Sequence, residues 1–239
     1  SIKYFELAAN QNHPAALYNL GHIYYSSKYG IHDINKAIGY LKIAADQNDP
    51  RSQYLYAKFL TQTDKRNHYL QLSADQNFSK AQLELGFYYY FTNKIPKSIS
   101  YFELAAKNKN KDAYFILGFL YQEGKFVEKD IKKSIKYYKE VTFNGPYAKN
   151  NLGVIYKNGV ANEIMPNIQM AMELLEEAIR LNDDPVAMYN LSNIYIYNKS
   201  YEDYNQSINL LVNSIKKGFF YSVQLLSLLL IKKNSDNTD

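Results

Sequence analysis

The sequence of 239 residues contains no cysteine and no tryptophan, and only three of its residues are arginines. The absence of cysteine excludes disulfide frameworks and thiolate chemistry, and it is compatible with a reducing compartment. No apolar run reaches the roughly 18 residues that a membrane span needs, and the first residues, "SIKYFELAA", have no signal-peptide pattern. We therefore expect a cytoplasmic protein, with the lumen of the endoplasmic reticulum as the alternative.

The residues that are present indicate a folded chain. Hydrophobic residues make up 46% of the sequence and charged residues 21%, which is typical of a globular protein and not of a disordered tail. Tyrosine and asparagine are abundant, with 25 residues each. The net charge of +5 comes almost entirely from lysine, so the sequence offers few of the arginine side chains that read nucleic acid bases.

Small residues recur along the chain in a shared local pattern, first seen in "ALYNLGHIYY" (16–25). We call them the packing anchors, and successive anchors are 36, 29, 32, 35, 39 and 35 residues apart. The seven anchors are Gly21, Ala57, Gly86, Gly118, Gly153, Ser192 and Ser227. A second small residue lies five positions before each anchor, and a large apolar residue or tyrosine lies one before and three after. Because these offsets fall on one side of a 3.6-residue helix, the pattern predicts a repeated helix, which we call helix A.

A second motif lies between successive A helices. A small residue is followed by apolar residues one, three, four, seven and eight positions later, which predicts an amphipathic helix, helix B. Its copies are "SIKYFELAA" (1–9), "AIGYLKIAA" (37–45), "SISYFELAA" (98–106), "SIKYYKEVT" (134–142), "AMELLEEAI" (171–179) and "SINLLVNSI" (207–215), with a degraded copy, "RNHYLQLSA", at 66–74.

The two connections between these helices differ in how much their length varies. From the last residue of each B motif to the next anchor is always 11 to 13 residues, whereas the connection from A to B varies much more. A fixed turn sets how one helical hairpin docks on the next, and insertions fall in a surface loop. The sequence therefore predicts an all-α solenoid of antiparallel helix pairs, with repeats of about 29–39 residues, in which each anchor marks a close approach of two helices.

These residues resemble a known family. The segment "AALYNLGHIYYSSKYGIHDINKAIGYLKIAADQND" (15–49) is similar to the Sel-one-like repeat (SLR), a relative of the tetratricopeptide repeat (TPR). That family has the pattern A-x-x-x-L-G-x-x-Y, a loop, and then K-A-x-x-x-x-x-x-A-A. The resemblance implies a TPR-like, right-handed superhelix over nearly the whole chain. Two repeats depart from it: the second has Ala57 and a short loop, "TQTDKRN", and the sixth has Ser192 and a longer loop, "YNKSYEDYNQ".

The pattern also predicts the boundaries of the repeats. We expect a solenoid over residues 1–232, made of a half repeat at 1–14, repeats at 15–50, 51–79, 80–111, 112–146, 147–185 and 186–221, and a last helix at 222–232, followed by a polar tail at 233–239. The last helix is apolar nearly all round, and such helices are normally buried. Because neither end offers a polar cap, we expect further repeats, another domain, a partner or self-association there.

The two termini carry signals of their own. Since the chain does not start with methionine, we expect it to be an excerpt or a processed piece of a longer protein, and the tail "NSDNTD" indicates a natural C-terminus. The sequence leaves the oligomeric state open.

No motif in the sequence indicates catalysis, so we predict that the chain is not an enzyme and needs no cofactor. "GVIYKNG" (153–159) has the glycines of a phosphate loop but lacks the G-K-[ST] ending, so we interpret Gly153 as an anchor and Gly159 as a helix C-terminal cap. The four histidines do not pair at helical spacing, which disfavours a metal site. The basic run "KNKNK" (107–111) falls in a B-to-A turn, and we interpret it as solvated surface and not as a nucleic-acid site, because charge runs are usually solvated.

The face of helix A opposite its packing side is the candidate binding surface. The resemblance implies that this face lines the concave surface of the solenoid, and residues three before, one after and four after each anchor project from it. The candidates are Tyr18, His22, Tyr25, Tyr54, Lys58, Phe87, Tyr90, Phe115, Phe119, Gln122, Asn150, Lys157, Tyr189 and Asn193. Exposed aromatic residues are typical protein-binding hot spots. The alternative is that tight curvature buries these rings against one another.

The sequence therefore favours a non-catalytic scaffold or adaptor that binds a peptide or a protein surface in the concave groove, with no small-molecule substrate. The resemblance implies roles such as assembling signalling complexes, adapting clients in endoplasmic-reticulum degradation, or regulating a fused kinase domain. The alternative is a structural component of a large assembly, which would use the convex face and the uncapped ends. No residue pattern identifies the partner.

Overall fold

The computed structural model describes residues 2–26, 30, 32–141, 143, 145–161, 163–198 and 201–236, without the side chains of residues 198, 201–202 and 232–236. This part of the chain contains fourteen α-helices, and the prediction of an all-α fold is confirmed. Their bounds are Ile2–Ala9 (α1), Pro14–Tyr25 (α2), Ile34–Asp46 (α3), Pro50–Ala57 (α4), Thr63–Asp75 (α5), Ser79–Phe91 (α6), Ile95–Lys107 (α7), Lys111–Glu123 (α8), Ile131–Lys139 (α9), Pro146–Asn158 (α10), Ile168–Asn182 (α11), Pro185–Asn198 (α12), Tyr201–Lys216 (α13) and Tyr221–Asp236 (α14).

The helices alternate between the two predicted types, with B motifs on the odd-numbered helices and A patterns on the even-numbered ones. Helices that follow each other in the chain pack together from α1 to α7 and again from α9 to α14. The chain forms two compact units, Ser1–Leu117 and Gly118–Asp239, which we call unit 1 and unit 2. The boundary falls within α8. None of the described helices is long and apolar enough to cross a lipid bilayer.

Each A helix begins one residue before the repeat boundary that the sequence predicts. Four of them begin at a proline: Pro14, Pro50, Pro146 and Pro185. Proline suits the first helical position because its missing N–H needs no partner there and its fixed φ matches the helix. The predicted repeat boundaries follow the small and apolar positions and do not use this helix start signal.

A repeated backbone conformation explains the constant length of the B-to-A turn. The residue nine positions before the anchor has a positive φ in every described turn. These residues are Asn12 (57°), Asn48 (68°), Asn77 (63°), Lys109 (59°), Asp183 (48°) and Gly218 (89°). The residue after it often donates its N–H to a carbonyl five positions back, as His13 does to Ala8 (3.1 Å), which is the Schellman way of ending a helix. An insertion here would break this hydrogen bond, so the turn tolerates little change in length.

The anchors lie at close approaches between an A helix and the B helix that follows it. A Cβ added at Gly21 would lie 2.5 Å from Leu41, and one at Gly86 would lie 2.5 Å from the ring of Phe102. The pairs Gly118–Tyr138 and Gly153–Leu175 are equivalent, with distances of 2.7 and 2.8 Å, and Ala57 and Ser192 are also buried. In each pair the partner is the fifth residue of the B motif. Ser227 differs: it is exposed, because no B helix follows it among the described residues.

The second and sixth repeats differ from the others, as the sequence predicts, but the sixth does not differ in the predicted way. Helix α4 stops at its anchor, Ala57, whereas the other A helices continue past theirs. In the sixth repeat the predicted longer loop at 197–206 is wrong. Most of it is helical, because α12 runs to Asn198 and α13 begins at Tyr201. That segment contains no glycine or proline to stop either helix.

The last helix also differs from the prediction. Helix α14 runs to Asp236 and so includes the start of the predicted polar tail, whose residues 237–239 lie outside the described part of the chain. Most of its apolar residues are exposed in the described part of the chain, and the expectation that further repeats, another domain, a partner or self-association covers them stays a prediction. Leu229 is buried, but Val223, Leu228, Leu230 and Ile231 are exposed. Helix α13 covers one side of α14, and no described helix covers the other.

Candidate protein-interaction surface

In unit 1 the predicted binding residues lie on α2, α4, α6 and the first part of α8. His22, Tyr25, Lys58, Phe87 and Tyr90 are exposed. Tyr18, Tyr54 and Phe115 are half-buried. The face that the sequence assigns to binding is therefore accessible in unit 1, but its aromatic rings differ in how much surface they offer.

Side chains from neighbouring A helices adjoin on this face of unit 1. The Arg51 guanidinium, at the start of α4, lies 4.3 Å from the centre of the Tyr18 ring on α2. The Tyr25 ring meets Phe59 edge to face at 5.4 Å. Such cation–π and edge-to-face contacts are favourable geometries for aromatic rings. They join α2 and the α4 segment into one surface and explain why Tyr18 is only half exposed.

The most accessible aromatic cluster of unit 1 is on α6. Phe87, Tyr90 and Phe91 form what we call the aromatic ridge, with ring centres 6.5 Å apart for Phe87–Phe91 and 5.5 Å for Tyr90–Phe91. The Phe91 side chain is 79% exposed. The Phe87 ring also packs edge to face on the Phe102 ring of α7, with ring centres 5.3 Å apart. The sequence prediction missed Phe91 because it used offsets up to +4; its spacing of four residues from Phe87 is the signal that places it on the same face.

Carboxylates pair with the basic side chains beside the ridge and cancel most of their charge. Glu84 on α6 lies 3.5 Å from the Lys58 ammonium and 3.3 Å from the Arg66 guanidinium. Arg51 is paired with Asp49 at 2.9 Å. Exposed pairs like these contribute little to stability, but they cancel charge locally. A partner that reaches this face meets aromatic rings more than net charge.

In unit 2 the equivalent face is more polar and partly closed by a hydrogen-bond network. The Tyr138 hydroxyl donates to Gln122 Oε1 (3.0 Å) and accepts from Asn151 Nδ2 (2.9 Å). Asn150 Nδ2 donates to Asn151 Oδ1 (3.2 Å), and Asn150 Oδ1 accepts from Asn190 Nδ2 (2.8 Å). Burial raises the pKa of Tyr138 to about 12, so its hydroxyl stays a neutral donor.

The network corrects the prediction for Asn150, which is buried and not available to a partner. Helical spacing alone places Asn150 on the open face, but Asn190 on α12 reaches across and covers it. Buried amides need such partners, because an unsatisfied buried polar group costs about 1–3 kcal/mol. Gln122 is half-buried and already hydrogen-bonded within the same network.

The remaining candidates of unit 2 are mixed in accessibility. Phe119 is exposed. Lys157 is half-buried, burial lowers its pKa, and its ammonium lies 5.7 Å from the centre of the Tyr197 ring. Tyr189 packs against Phe219 at 5.6 Å, and Asn193 donates from Nδ2 to the carbonyl of Tyr189 (2.9 Å). Phe119 is therefore the clearest contact candidate in this unit.

A repeated stack that the sequence analysis missed lies on the packing side of the A helices. The tyrosine three positions after the anchor stacks on a tyrosine of the following B helix, and a lysine ammonium lies over its ring. Ring centres are 5.4–5.9 Å apart and the ammonium is 4.2–5.2 Å away. The stacks are Lys36–Tyr24–Tyr40, Lys97–Tyr89–Tyr101 and Lys133–Tyr121–Tyr137. A lysine and a tyrosine four residues apart in three B helices is the signal that could have found them.

The described residues can also be compared with the ligand sets that hold metal ions. No group of three His, Cys, Asp or Glu side chains lies close enough to hold a metal ion in the part of the chain that the structure describes. An open pocket of about 640 Å³ in unit 2 is lined by Tyr121, Val127, Asp130 and Lys133, among others. Asp130 is committed there as the cap of α9, since it accepts the backbone N–H of Lys133 at 2.9 Å.

The helix pairs, their anchors and their turns define a TPR-like solenoid fold, and comparison with known proteins gives the family. The Sel1 repeat model matches residues 1–13, 14–49, 79–110, 111–140, 146–183 and 185–219. The chain therefore belongs to the Sel1-repeat family. The longest unmatched stretch, 50–78, covers the second repeat, in which Ala57 replaces the anchor glycine and α4 is short.

Solved structures show the same fold. The chain is similar to c5321, a protective antigen of uropathogenic Escherichia coli strains with an SLR fold, at 22% identity and a TM-score of 0.84 over 97% of this chain and 52% of that one. It is also similar to a Sel1 repeat protein from Oxalobacter formigenes, at 21% identity and a TM-score of 0.74 over 95% and 68% of the two chains. The chain thus spans about half the length of the Escherichia coli structure.

A more distant likeness is to YrrB, a TPR protein with an unusual peptide-binding site, at 17% identity and a TM-score of 0.50 over 77% of this chain and 95% of that one. A comparison with curated protein sequences finds no match. The prediction of a Sel-one-like, TPR-like repeat protein is confirmed, and this fold generally serves as a scaffold for protein interactions. The handedness of the superhelix stays a prediction.

Proposed function

We propose that the chain is a non-catalytic scaffold that binds a peptide or a protein surface through the A-helix face of its repeats, chiefly at the aromatic ridge. The observation that carries this proposal is the exposure of three adjacent rings, Phe87, Tyr90 and Phe91, on one helix face. Large aromatic side chains dominate the energetics of protein interfaces, and clustered ones act as hot spots.

The surroundings of the ridge favour an apolar partner segment. Lys58 and Arg66 share the carboxylate of Glu84, so this group next to the ridge keeps only one net positive charge. Burial of apolar surface contributes roughly 25 cal/mol per Å². We therefore propose a partner that inserts aliphatic or aromatic side chains between the rings. YrrB, which has a peptide-binding site by its description, offers a precedent within the fold.

Other members of the predicted surface would extend the contact. His22, Tyr25 and Lys58 are exposed in unit 1, the unit that carries the ridge. We propose that they add polar contacts and further apolar area at the edge of the bound segment. Energetically dominant residues are usually few and surrounded by weaker contacts, so the ridge is the place to test first.

The test is a peptide selection followed by binding measurements. A displayed library of random peptides is selected on the immobilised chain, and an enriched peptide is titrated in solution by fluorescence anisotropy. The double variant Tyr90→Ala, Phe91→Ala should weaken binding by about tenfold or more, which is about 1.4 kcal/mol. Phe87 is left in place because it supports the fold through Phe102.

A matched control removes two exposed aromatic rings away from this face. The double variant Tyr4→Ala, Phe143→Ala loses two exposed rings, one on the B helix α1 and one in the turn before α10, and it should bind the peptide within about twofold of the parent. Circular dichroism must show equal helicity for all three proteins. Equal weakening by both double variants, or no enriched peptide at all, would reject the ridge as the binding site.

A further inference from the structure

Two lysine side chains of α10 differ from every other lysine whose side chain the structure describes. Lys149 is buried and Lys157 is half-buried, whereas the other described lysine side chains are exposed. Removing an ammonium group from water costs free energy unless an opposite charge or hydrogen bonds replace the water. Each of these two lysines therefore needs a partner that compensates for its lost hydration.

Only one of the two lysines has such a partner within the described structure. The Lys149 ammonium donates to the Glu177 carboxylate. Lys157 forms no ion pair in the part of the chain that the structure describes, and burial lowers its pKa without a neighbouring charge that raises it again. The positive charge of Lys157 is thus partly withdrawn from water and left without a counter-charge.

The contact that Lys157 does have is with an aromatic ring. Its ammonium lies 5.7 Å from the centre of the Tyr197 ring on α12. The Tyr197 side chain is 75% exposed, and its offset from the anchor of its helix is the one that Phe91 has in the ridge. Helices α10 and α12 also meet through the hydrogen bond from Asn190 to Asn150. A half-buried positive charge and an accessible ring therefore lie side by side on the A-helix face of unit 2.

The ring alone does not replace the missing counter-charge. Cation–π contacts extend to about 6 Å from the ring centre and are weak where the ring is exposed to solvent. The distance in this pair is close to that limit, and most of the Tyr197 ring is in solvent. A desolvated charge of this kind beside an open surface is a frequent mark of a functional site.

We propose that Lys157 and Tyr197 bind an acidic residue of a partner peptide or protein segment. The partner's carboxylate pairs with the Lys157 ammonium, and an apolar side chain next to it packs on the Tyr197 ring. The inference extends the proposed function to unit 2 and rests on it, because it assigns the chemistry of a partner on the same helix face. A carboxylate fits better than a phosphate group, which binds best to clustered arginines, because the described contacts here supply a single ammonium.

The free chain should be less stable for carrying this charge. Lys157→Met keeps an unbranched side chain but removes the desolvated ammonium, so its melting temperature should equal or exceed that of the parent chain. Residues kept for binding often cost stability in this way. A lysine that supports the fold would behave in the opposite way, and its replacement would lower the melting temperature.

The binding test uses a fluorescein-labelled peptide of glutamate and leucine residues, and a matched peptide in which glutamine replaces every glutamate. Each peptide is titrated by fluorescence anisotropy with the 239-residue chain, up to about 1 mM, which covers weak peptide contacts. The glutamate peptide should bind more tightly than the glutamine peptide. Lys157→Met should weaken binding of the glutamate peptide about tenfold, because a charge-assisted hydrogen bond is lost, and should not change binding of the glutamine peptide.

Lys136→Met is the matched control for Lys157→Met. It removes an exposed lysine of the B helix α9 in the same unit and lowers the net charge of the chain equally. Because distant exposed charges are screened by salt, it should bind the glutamate peptide within about twofold of the parent chain. Tyr197→Ala removes the apolar contact and should weaken binding about threefold.

A further variant tests for a counter-charge within the chain. The side chain of Glu202 lies outside the described part of the structure. Glu202→Gln should leave the melting temperature and the binding of the glutamate peptide unchanged. If Glu202→Gln lowers the melting temperature in the parent chain but not in Lys157→Met, the two residues are coupled. Glu202 is then the counter-ion of Lys157, and the proposal is overturned.

Three other results would overturn the proposal. They are equal binding of the two peptides, equal effects of Lys157→Met and Lys136→Met on the glutamate peptide, and a lower melting temperature of Lys157→Met. The ridge is tested separately. The double variant Tyr90→Ala, Phe91→Ala should lose the peptide selected for the proposed function but bind the glutamate peptide like the parent chain, so failure of one proposal can be told from failure of the other.

Discussion

Unit 1 and unit 2 are built from the same kinds of helix pairs, but their buried polar side chains form different kinds of bonds. The position four residues before the anchor shows the difference. In unit 1 this position holds two buried glutamines, Gln53 and Gln82. Gln82 donates from Nε2 to the carbonyl of Ala74 (3.0 Å), in the turn before it, and accepts at Oε1 from Asn108 (2.9 Å), in the next turn. Gln53 makes the equivalent bonds. Uncharged amides therefore link successive turns.

In unit 2 the same position holds Lys149, which is also buried. Its ammonium donates to the Glu177 carboxylate on α11, and Arg180 lies 3.6 Å from the same carboxylate group. The next turn carries a second ion pair, Lys217 with Asp183, at 2.9 Å. Charged pairs in unit 2 thus occupy the region where unit 1 uses amides.

The comparison separates what the repeat requires from what it leaves free. The frame requires a small anchor, a large fifth residue in the B motif and a left-handed residue in the turn. It does not fix how the long side chain four residues before the anchor is bonded, which is by amide hydrogen bonds in one unit and by an ion pair in the other. Removing a charge from water costs more than removing an amide, so the two solutions should respond differently to pH and salt although they occupy equivalent places.

The largest change in the free energy of unfolding is expected at the glycine anchors, which both units share. Gly86→Leu in unit 1 and Gly118→Leu in unit 2 should each lower the free energy of unfolding by about 3 kcal/mol, because a Cβ alone would lie 2.5 or 2.7 Å from a buried ring. Urea denaturation monitored by circular dichroism measures the loss.

Gly39→Leu is the matched control for both variants. Gly39 is a helical glycine with no atom within 4 Å of an added Cβ. Since leucine is the better helix former, this change should raise the free energy of unfolding by about 0.5–1 kcal/mol. A similar loss at Gly39 would mean that the anchors have no special packing role.

The next largest loss of stability is expected on breaking the Lys149–Glu177 ion pair of unit 2. Glu177→Ala leaves Lys149 buried without its carboxylate, and breaking a buried pair typically costs about 3–5 kcal/mol. The Glu177 side chain is partly exposed, so solvent screening should reduce the loss to about 2 kcal/mol. Arg180→Ala, which removes the more exposed partner of Glu177, should cost less than about 0.5 kcal/mol in the same urea titration.

The same pair predicts a pH dependence. The hydrogen bond from Lys149 lowers the pKa of Glu177. The stabilisation by Glu177 is therefore fully present above the pKa that this carboxyl has in the unfolded chain, and it is lost as the pH falls through the lower pKa of the folded state. The difference between the parent and Glu177→Ala should shrink on acidification. A difference that is constant with pH would contradict an ionic role for Glu177.

Removing the amide hydrogen bonds of unit 1 should cause a smaller loss of stability, and this loss should not depend on pH or salt. Gln82→Leu keeps the size of the side chain but removes its hydrogen bonds to the Ala74 carbonyl and the Asn108 amide, which should cost about 1 kcal/mol because both groups keep another partner. Gln47→Leu, in an exposed turn position, is the control and should be nearly neutral. A salt dependence as steep as that of the Lys149 pair would remove the distinction between the units.

Much of this frame could be predicted from the sequence because helical packing repeats. The offsets around Gly21 and Gly86 specify which side of each A helix is buried, and the constant spacing specifies the turn. Gly159, interpreted as a helix end, has a positive φ and caps α10. These features depend on local periodicity and on single residues with special backbone freedom, which a sequence shows directly.

The parts that could not be predicted depend on residues that come from other helices. Asn150 has the right offset for the open face, but Asn190 closes over it. Tyr18 has the same offset, and Arg51 from the next repeat covers its ring. The pattern of one helix predicts which face a residue lies on. It does not predict which side chains of a neighbouring helix cover that residue, so the exposure of the candidate residues could not be predicted from the sequence.

The smallest effect tests the turn that both units share. Lys109 has φ of 59°, in the left-handed region, where the equivalent turns of unit 1 have Asn12, Asn48 and Asn77. Left-handed backbone costs an ordinary side chain about 1 kcal/mol, and asparagine tolerates it better. Lys109→Asn should therefore raise the free energy of unfolding by about 0.5 kcal/mol, whereas Lys107→Asn, on the helix two residues earlier, should lower it slightly because asparagine is the poorer helix former. Opposite signs for two Lys→Asn changes so close together isolate the backbone conformation from the loss of charge; equal signs would show that charge in this basic turn, and not its geometry, limits the stability of unit 1.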